Sequence, residues 1–199
     1  MTHMRRRLGN LAITAIGFAL VGFFVVIPAL RVWQATHVPR WARHAPPAAP
    51  AGYRAVSFAT TDALTLHGWY HASASGAAVV LTHGYSLDLT YLLPQAEALV
   101  DAGFGVLTYD LRGHGVSDGD RAYRGWREAD DVLAAVAFVR AQPDVDPGRV
   151  GAFGFSIGAQ ATLRAAGRSD AVRAAMADGP VAGSLADEPL PVGAWEWLN

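Results

Sequence analysis

Residues 149–166 of the chain read RVGAFGFSIGAQATLRAA. The first seven, Arg149–Phe155, form a short run that is typical of a strand buried in a sheet, and Ile157–Ala166 is predicted to be a helix. Between them lies Ser156, at the centre of a Gly-x-Ser-x-Gly motif. A serine at a sharp strand–helix turn projects its hydroxyl above the sheet, and the two glycines let strand and helix approach closely. The stretch therefore predicts a serine nucleophile on an α/β fold.

The rest of the sequence alternates predicted strands with predicted helices. The strands are Tyr53–Ala59, Leu64–Tyr70, Ala77–Thr82, Phe104–Tyr109 and Ala171–Ala177, and the helices are Leu92–Val100 and Arg127–Ala141. This alternation is typical of right-handed βαβ crossovers, so the predicted fold class is α/β with a doubly wound, mostly parallel sheet. Ligands bind such sheets at the carboxyl ends of the strands. Those ends carry His83, Asp110, Ser156 and Asp178.

An apolar stretch precedes this domain. Leu8–Leu30 is a run of 23 uncharged residues between Arg7 and Arg31. At 1.5 Å per residue, a helix of this length spans the roughly 30 Å hydrocarbon core of a bilayer. We expect an uncleaved, single-pass transmembrane anchor that places residues 8–30 in the lipid bilayer. The alternative is a cleaved signal peptide, although its apolar region usually has only about 7–15 residues.

The flanking arginines bear on the orientation of this anchor. Arg5–Arg7 favour a cytoplasmic N-terminus and a domain outside the cytoplasm, while Arg31, Arg40 and Arg43 compete from the other side. The two sets of arginines leave both sides open, and the favoured expectation is a domain outside the cytoplasm. Trp33 and Trp41 follow the anchor and are expected at the interface. The predicted organisation is a basic flank (1–7), an anchor (8–30), a Pro-rich linker (31–52) and a folded domain (53–199).

Composition excludes several classes of function. The formal net charge is −1, which gives no electrostatic basis for nucleic-acid binding. The chain has no lysine and no cysteine, so it has no Schiff-base lysine, P-loop lysine or thiol nucleophile. Its glycines do not form the dinucleotide-binding motif. His67 and His71 lie about 13 Å apart along one strand, a spacing that does not suit a shared metal ion. We therefore expect neither a cofactor nor a metal.

A glycine turn after the Ala77–Thr82 strand completes the predicted site. It lies in Thr82–Ser86 (THGYS) and can aim the backbone N–H of Tyr85 into the cleft above Ser156. Together with the N–H of Ile157, it would form an oxyanion hole. We interpret His83 as an imidazole that braces this loop.

Three segments together resemble the α/β-hydrolase superfamily. They are Thr82–Ser86, Asp110–Gly119 (DLRGHGVSDG) and the motif around Ser156. The resemblance extends over residues 53–180 and is closest to serine aminopeptidase-like and thioesterase-like members. It implies that Ser156 is the nucleophile and that Tyr85 and Ile157 supply the oxyanion hole. It also implies mainly structural roles for Arg112, His114 and Asp118.

The sequence departs from this family in its catalytic base. The family order is serine, acid, histidine, yet all seven histidines of this chain precede Ser156. We therefore expect an α/β-hydrolase domain that lacks its last strands, in which the acid and the histidine are missing. His114 as a substitute base and Asp178 as an acid are the weighed alternatives. Asp130 and Asp131 are expected to be solvated charges at a helix start.

Two functions follow as expectations. The first is a membrane-anchored serine hydrolase that cleaves ester, thioester or peptide bonds of a small-molecule or peptide acyl substrate through an acyl-enzyme. The alternative is a non-catalytic hydrolase-like binding module or an inactive truncated remnant. Without further strands, Ala171–Ala177 would be an exposed edge. The chain alone is then expected to be marginally stable or aggregation-prone, or to have this edge covered by a partner or by its own tail with Trp195, Trp197 and Leu198.

Overall fold

The structure is a computed structural model that describes residues 2–39 and 44–180. Contacts divide the chain into two units, Met1–His37 and Val38–Asn199. The expectations for Trp41, Trp195, Trp197 and Leu198 lie outside the described residues.

The first unit is one long apolar helix with an irregular turn. Helix α1 (Thr2–Val21) continues through a π-helical turn (Gly22–Val26) into α2 (Ile27–Thr36). The wide turn lies directly before Pro28, which has no N–H to donate to the preceding turn. The segment Asn10–Thr36 has 27 residues and reaches a mean hydropathy of 2.5. Its length and composition suffice to cross a membrane, a test that a signal sequence also passes.

The second unit contains a six-stranded sheet. Its strands are β1 (Tyr53–Ala59), β2 (Thr65–His71), β3 (Ala78–Thr82), β4 (Gly105–Tyr109), β5 (Val150–Phe155) and β6 (Ala174–Asp178). They are arranged in the order β1-β2-β4-β3-β5-β6. β2 is antiparallel to both of its neighbours, while β4, β3, β5 and β6 pair in parallel. The predicted α/β class with a mostly parallel sheet is therefore confirmed.

Helices pack on both faces of this sheet. α4 (Glu128–Arg140) and α5 (Ile157–Arg168) cover one face, where Val80, Leu107 and Ala152 join them in the main core. α3 (Leu93–Asp101) packs on the other face, against Leu81 and Val106. Because neighbouring strand residues point to opposite faces, the short apolar runs supply both cores at once.

The last described strand begins three residues later than the sequence predicts. Val172 N–H donates to Ser169 O in a turn, and pairing to β5 starts only at Ala174. In the described part of the chain β6 is an edge strand, as expected, and Met176 on it is 65% exposed. The carboxyl end of this strand lies beside the end of β5, where the chain turns at Ser156.

Candidate active site

Ser156 occupies the corner between β5 and α5 in a strained backbone conformation. Its φ is 54° and its ψ is −115°, a region that residues other than glycine seldom adopt. Its N–H donates to Asp178 O at 2.9 Å, and its own carbonyl accepts the N–H of Gln160 at 3.2 Å. These bonds tie the half-buried serine to the end of β6 and to the first turn of α5.

The two motif glycines are required by close backbone contacts. A β-carbon on Gly154 would overlap the carbonyl of Gly158. A β-carbon on Gly158 would overlap the carbonyl of Thr82 and lie 2.5 Å from His83 O. The end of β3 therefore packs closely against the first turn of α5. This contact brings together the two loops that the sequence predicts for the site.

The loop after β3 lies against the serine. A β-carbon on Gly84 would lie 3.2 Å from Ser156 Cβ. His83 is 1% exposed, and its Nδ1 bonds to Gly84 O at 2.7 Å while its Nε2 accepts Leu111 N–H at 3.0 Å. Burial, assisted by His114, lowers the pKa of His83 to about 3, so the ring is neutral. Its geometry is that of the predicted brace.

His114 is held in the same way. Its Nδ1 bonds to Arg112 O at 3.0 Å and its Nε2 accepts Ser86 N–H at 3.1 Å. The side chain is 1% exposed, and the ring of Tyr85 packs edge-on against it with centroids 6.0 Å apart. Because backbone groups occupy both ring nitrogens, His114 holds the loop that carries Tyr85 and is not placed as a base.

Asp110 joins the loops after β3 and β4. Its Oδ1 accepts Leu89 N–H at 2.9 Å, and its carbonyl accepts the hydroxyl of Ser117 at 2.7 Å. The residue is fully buried, and this burial raises the pKa of its carboxyl to about 6. The ionised form of Asp110 therefore lowers the stability of the fold. The hydrogen bonds of Asp110 nevertheless hold the loop beside Ser156 in place.

This raised pKa predicts a pH-dependent stability. Between about pH 4 and pH 6 the unfolded carboxyl loses its proton while the folded one keeps it, so stability falls as the pH rises. An Asp110→Asn variant keeps the acceptor for Leu89 N–H and removes this titration. Over that window we expect wild type to lose up to about 3 kcal/mol more stability than the variant. Urea unfolding at pH 4 and pH 7.5 measures the difference.

Asp101→Asn, a change at an exposed position at the end of α3, is the control for this experiment. It should leave the pH dependence of wild type unchanged. Equal slopes for wild type and Asp110→Asn would show that Asp110 is not the titrating group.

A buried ion cluster supports the loop after β4. Arg112 is 3% exposed and binds both carboxylate oxygens of Asp131, with its Nε 2.9 Å from Oδ1. Its Nη1 lies 2.9 Å from Asp62 Oδ2. Burial alone would lower the pKa of Arg112, but the two carboxylates outweigh it and raise this pKa above its usual value.

This cluster corrects one expectation. Asp131 is fully buried rather than solvated, because its helix packs this face against the Arg112 loop. Its neighbour Asp130 is partly exposed and pairs with Arg168 at 3.0 Å. Asp118, predicted to be structural, accepts Thr65 N–H at 2.8 Å.

Two further contacts were not predicted from the sequence. His44 Nε2 lies 3.1 Å from Asp88 Oδ2, which fastens the segment before β1 to the loop after β3. The rings of Tyr91 and Phe155 pack 5.1 Å apart beside the serine. Both contacts join residues far apart in sequence, so no local pattern could have indicated them. Asp178 contributes its backbone carbonyl to Ser156, as described above.

The described residues contain no cluster of three or more His, Asp or Glu side chains with metal-ligand geometry. The hydroxyl of Ser156 lies at the β5–α5 corner, against the glycine turn that follows β3. A serine hydroxyl can attack a carbonyl carbon once a general base takes its proton.

Comparison with known proteins identifies the family of the chain. The family model described as X-Pro dipeptidyl-peptidase (S15 family) matches residues 48–188. The chain is 36% identical over 126 residues to thiohydrolase apmlB of Arthrinium phaeospermum, covering 61% of this chain and 41% of that protein. It is 31% identical over 152 residues to the uncharacterized protein YfhR of Escherichia coli K12, covering 71% and 53%. The chain thus spans about two fifths to one half of these curated relatives.

Solved structures give the same result. The Pyrococcus furiosus esterase Pf2001 superposes with a TM-score of 0.64 at 30% identity, covering 69% of this chain and 57% of that one. The α/β hydrolase GrgF from Penicillium superposes with a TM-score of 0.60 at 31% identity, covering 64% and 46%. The chain belongs to the S15 peptidase family of the α/β-hydrolase superfamily.

Proposed function

We propose that this chain carries the nucleophile of a membrane-anchored serine hydrolase that cleaves ester, thioester or peptide bonds. One observation carries the proposal: Ser156 sits at the strained β5–α5 corner, against the glycine turn that follows β3. Similar proteins named as a thiohydrolase and an esterase support an acyl substrate.

In this mechanism the Oγ of Ser156 attacks the substrate carbonyl, and the hydroxyl proton passes to a general base. The carbonyl oxygen becomes an oxyanion that accepts hydrogen bonds from the N–H groups of Tyr85 and Ile157. Ile157 is the first residue of α5, so its N–H has no acceptor within the helix, and the helix N-terminus favours negative charge. The protonated base returns its proton to the leaving group, and water then hydrolyses the acyl-enzyme.

We place the general base and its acid outside the described residues, in sequence that the longer relatives carry beyond the matched part. His83 and His114, the two histidines beside the corner, are both occupied by backbone groups. In a serine protease, removal of the histidine alone lowers kcat by about 10⁶, or roughly 8 kcal/mol of barrier. The same occupied rings favour the second candidate, a non-catalytic hydrolase-like binding module.

We further propose that residues 8–30 anchor the protein in a lipid bilayer, with the domain on the extracytoplasmic side. The apolar helix supports the anchor, and Arg5–Arg7 support the orientation.

A fluorophosphonate probe tests this proposal, because it reacts with an activated serine hydroxyl. Because the described histidines supply no base to Ser156, the wild-type chain in nanodiscs should be labelled when imidazole is added as an external base, and the Ser156→Ala variant should not. Ser57→Ala, at an exposed position of β1, is the matched control and should label like wild type. Added imidazole, an external base, should raise the labelling rate of wild type. Wild type that stays unlabelled with imidazole would leave the binding module as the function.

A further inference from the structure

The segment before β1 is fixed to the domain at Val38, the first residue of the second unit. Val38 is buried in the main core, and its N–H donates to Asp120 O at 3.1 Å. A β-carbon on Gly113 would lie 3.1 Å from Val38 Cγ2. Both partners belong to the loop after β4, which also carries His114. The start of the segment is therefore attached to a loop that supports the site.

His44 attaches the same segment to the loop after β3. Its Nε2 lies 3.1 Å from Asp88 Oδ2, and the two side chains are 53% and 19% exposed. The other carboxylate oxygen of Asp88 accepts the N–H and the hydroxyl of Thr90. Because both oxygens are bound, the side chain of Asp88 has a fixed place in this loop. A stretch that the sequence predicts to be a linker thus contacts both loops.

Asp88 is close in the chain to the turn that lies against the nucleophile. It follows Tyr85, whose N–H is one of the two proposed oxyanion donors, by three residues. Between them the chain folds back, because Leu87 N–H donates to Gly84 O at 3.2 Å. Gly84 is the residue whose β-carbon would lie 3.2 Å from Ser156 Cβ. A displacement of Asp88 therefore moves the backbone that faces the serine.

The charges around Asp88 give His44 a second effect on this loop. Burial alone would raise the pKa of Asp88, but its hydrogen bonds with Thr90 and the nearby His44 lower it, so the carboxylate is ionised at neutral pH. Burial is also the main cause of the raised pKa of Asp110, which Asp88 raises further and His44 lowers. His44 thus offsets the repulsion between two carboxylates that hold the same loop.

We propose that His44 is a positioning residue of the site, which acts through Asp88 to hold the turn with Tyr85 against Ser156. The inference rests on the proposed function, since it concerns the reactivity of the same serine. An exposed ion pair contributes little to stability. A misplacement of about 1 Å at a reacting group, in contrast, can lower a rate by about 10². His44 should therefore affect the reactivity of Ser156 more than the stability of the domain.

The kinetics of fluorophosphonate labelling, measured with imidazole on the full chain in nanodiscs, test this proposal. His44→Ala should lower the limiting rate at saturating probe roughly threefold to tenfold. The probe concentration that gives half of this rate should change little, because the oxyanion donors are displaced and the cleft is not blocked. His44→Gln keeps an N–H donor for Asp88 and should recover most of the rate.

His71→Ala is the matched control. His71 pairs with Val106, next to the first residue of β4, at the end of the sheet opposite to Ser156. This variant should be labelled like wild type. An equal loss of rate in His71→Ala and His44→Ala would overturn the proposal.

Asp88→Asn separates the proposed route from a general loss of structure. It keeps the acceptor for Thr90 N–H and removes the charge that His44 faces. The effects of two residues that act as a pair do not add. In the Asp88→Asn background, His44→Ala should therefore change the rate by less than about twofold. The same loss in both backgrounds would show that His44 does not act through Asp88.

Hydrogen exchange tests the same contact without a reactive serine. His44→Ala should speed the exchange of amides in residues 84–91 severalfold and leave those of β5 as in wild type. Unchanged exchange in residues 84–91 would overturn the proposal, and so would faster exchange with a wild-type labelling rate. Wild type that stays unlabelled with imidazole would instead contradict the proposed function, and the exchange rates alone would then decide the role of His44.

Discussion

Replacement of Gly158 by alanine should strongly destabilise the domain. The added β-carbon would overlap the carbonyl of Thr82 and lie 2.5 Å from His83 O, and both are backbone atoms of the β3 end. No side-chain rotation can relieve these contacts, so β3 and α5 must separate. We expect a loss of at least about 3 kcal/mol, a large part of the 5–15 kcal/mol that stabilises a typical domain.

Gly167→Ala is the matched control, because Gly167 lies in the same helix and a β-carbon there would meet no atom within 4 Å. Alanine is favoured over glycine in a helix by about 0.5–1 kcal/mol, so this variant should be equally or slightly more stable than wild type. Urea unfolding followed by near-UV circular dichroism measures both variants. A cooperative, wild-type transition for Gly158→Ala would contradict the packing described at the corner.

Arg112→Ala is expected to cost about 3–5 kcal/mol, because it leaves a buried carboxylate without its partner. Asp131 is fully buried, and its two oxygens are bound by the guanidinium. The loop after β4 would also lose its attachment to Asp62. Since this loop carries His114, which in turn holds Ser86 N–H, the turn beside Ser156 should loosen as well.

The control is Arg168→Ala, which removes an ion pair of similar length to Asp130 at the surface. Exposed pairs contribute about 0–1 kcal/mol, so this variant should unfold close to wild type. A second variant, Arg112→Ala/Asp131→Ala, removes the stranded charge and should recover part of the loss. Arg112→Ala as stable as Arg168→Ala would show that the buried pair contributes little.

Most of the fold could be predicted because its signals are local. The short apolar runs around Val80 and Leu107 are enough to predict buried strands. The predicted bounds of β1 equal those in the structure, Tyr53–Ala59. The corner at Ser156 was predicted in the same way, since its glycines report a close approach of backbones. The roles of Ser156, Tyr85 and Ile157 in catalysis stay predictions.

Tertiary contacts explain what the sequence left open. The position of β3 between β4 and β5 depends on crossovers that leave no local pattern. Asp131 lies in an acidic first turn of a helix, a pattern that predicts exposure to solvent. Only its contact with the distant Arg112 explains why it is buried. Glu128 is buried for a similar reason, because its carboxylate accepts the N–H groups of Tyr123 and Gly125 at 2.6 and 2.9 Å.

The hydrogen bond from Ser156 N–H to Asp178 O couples the strained corner to β6, the edge strand of the sheet in the described residues. Outer strands open locally at a lower free-energy cost than central ones, and such opening breaks their pairing with neighbours. Each fraying event of β6 thus releases one of the restraints that maintain the strained serine. The stability of this strained corner therefore depends on how firmly β6 is paired with β5.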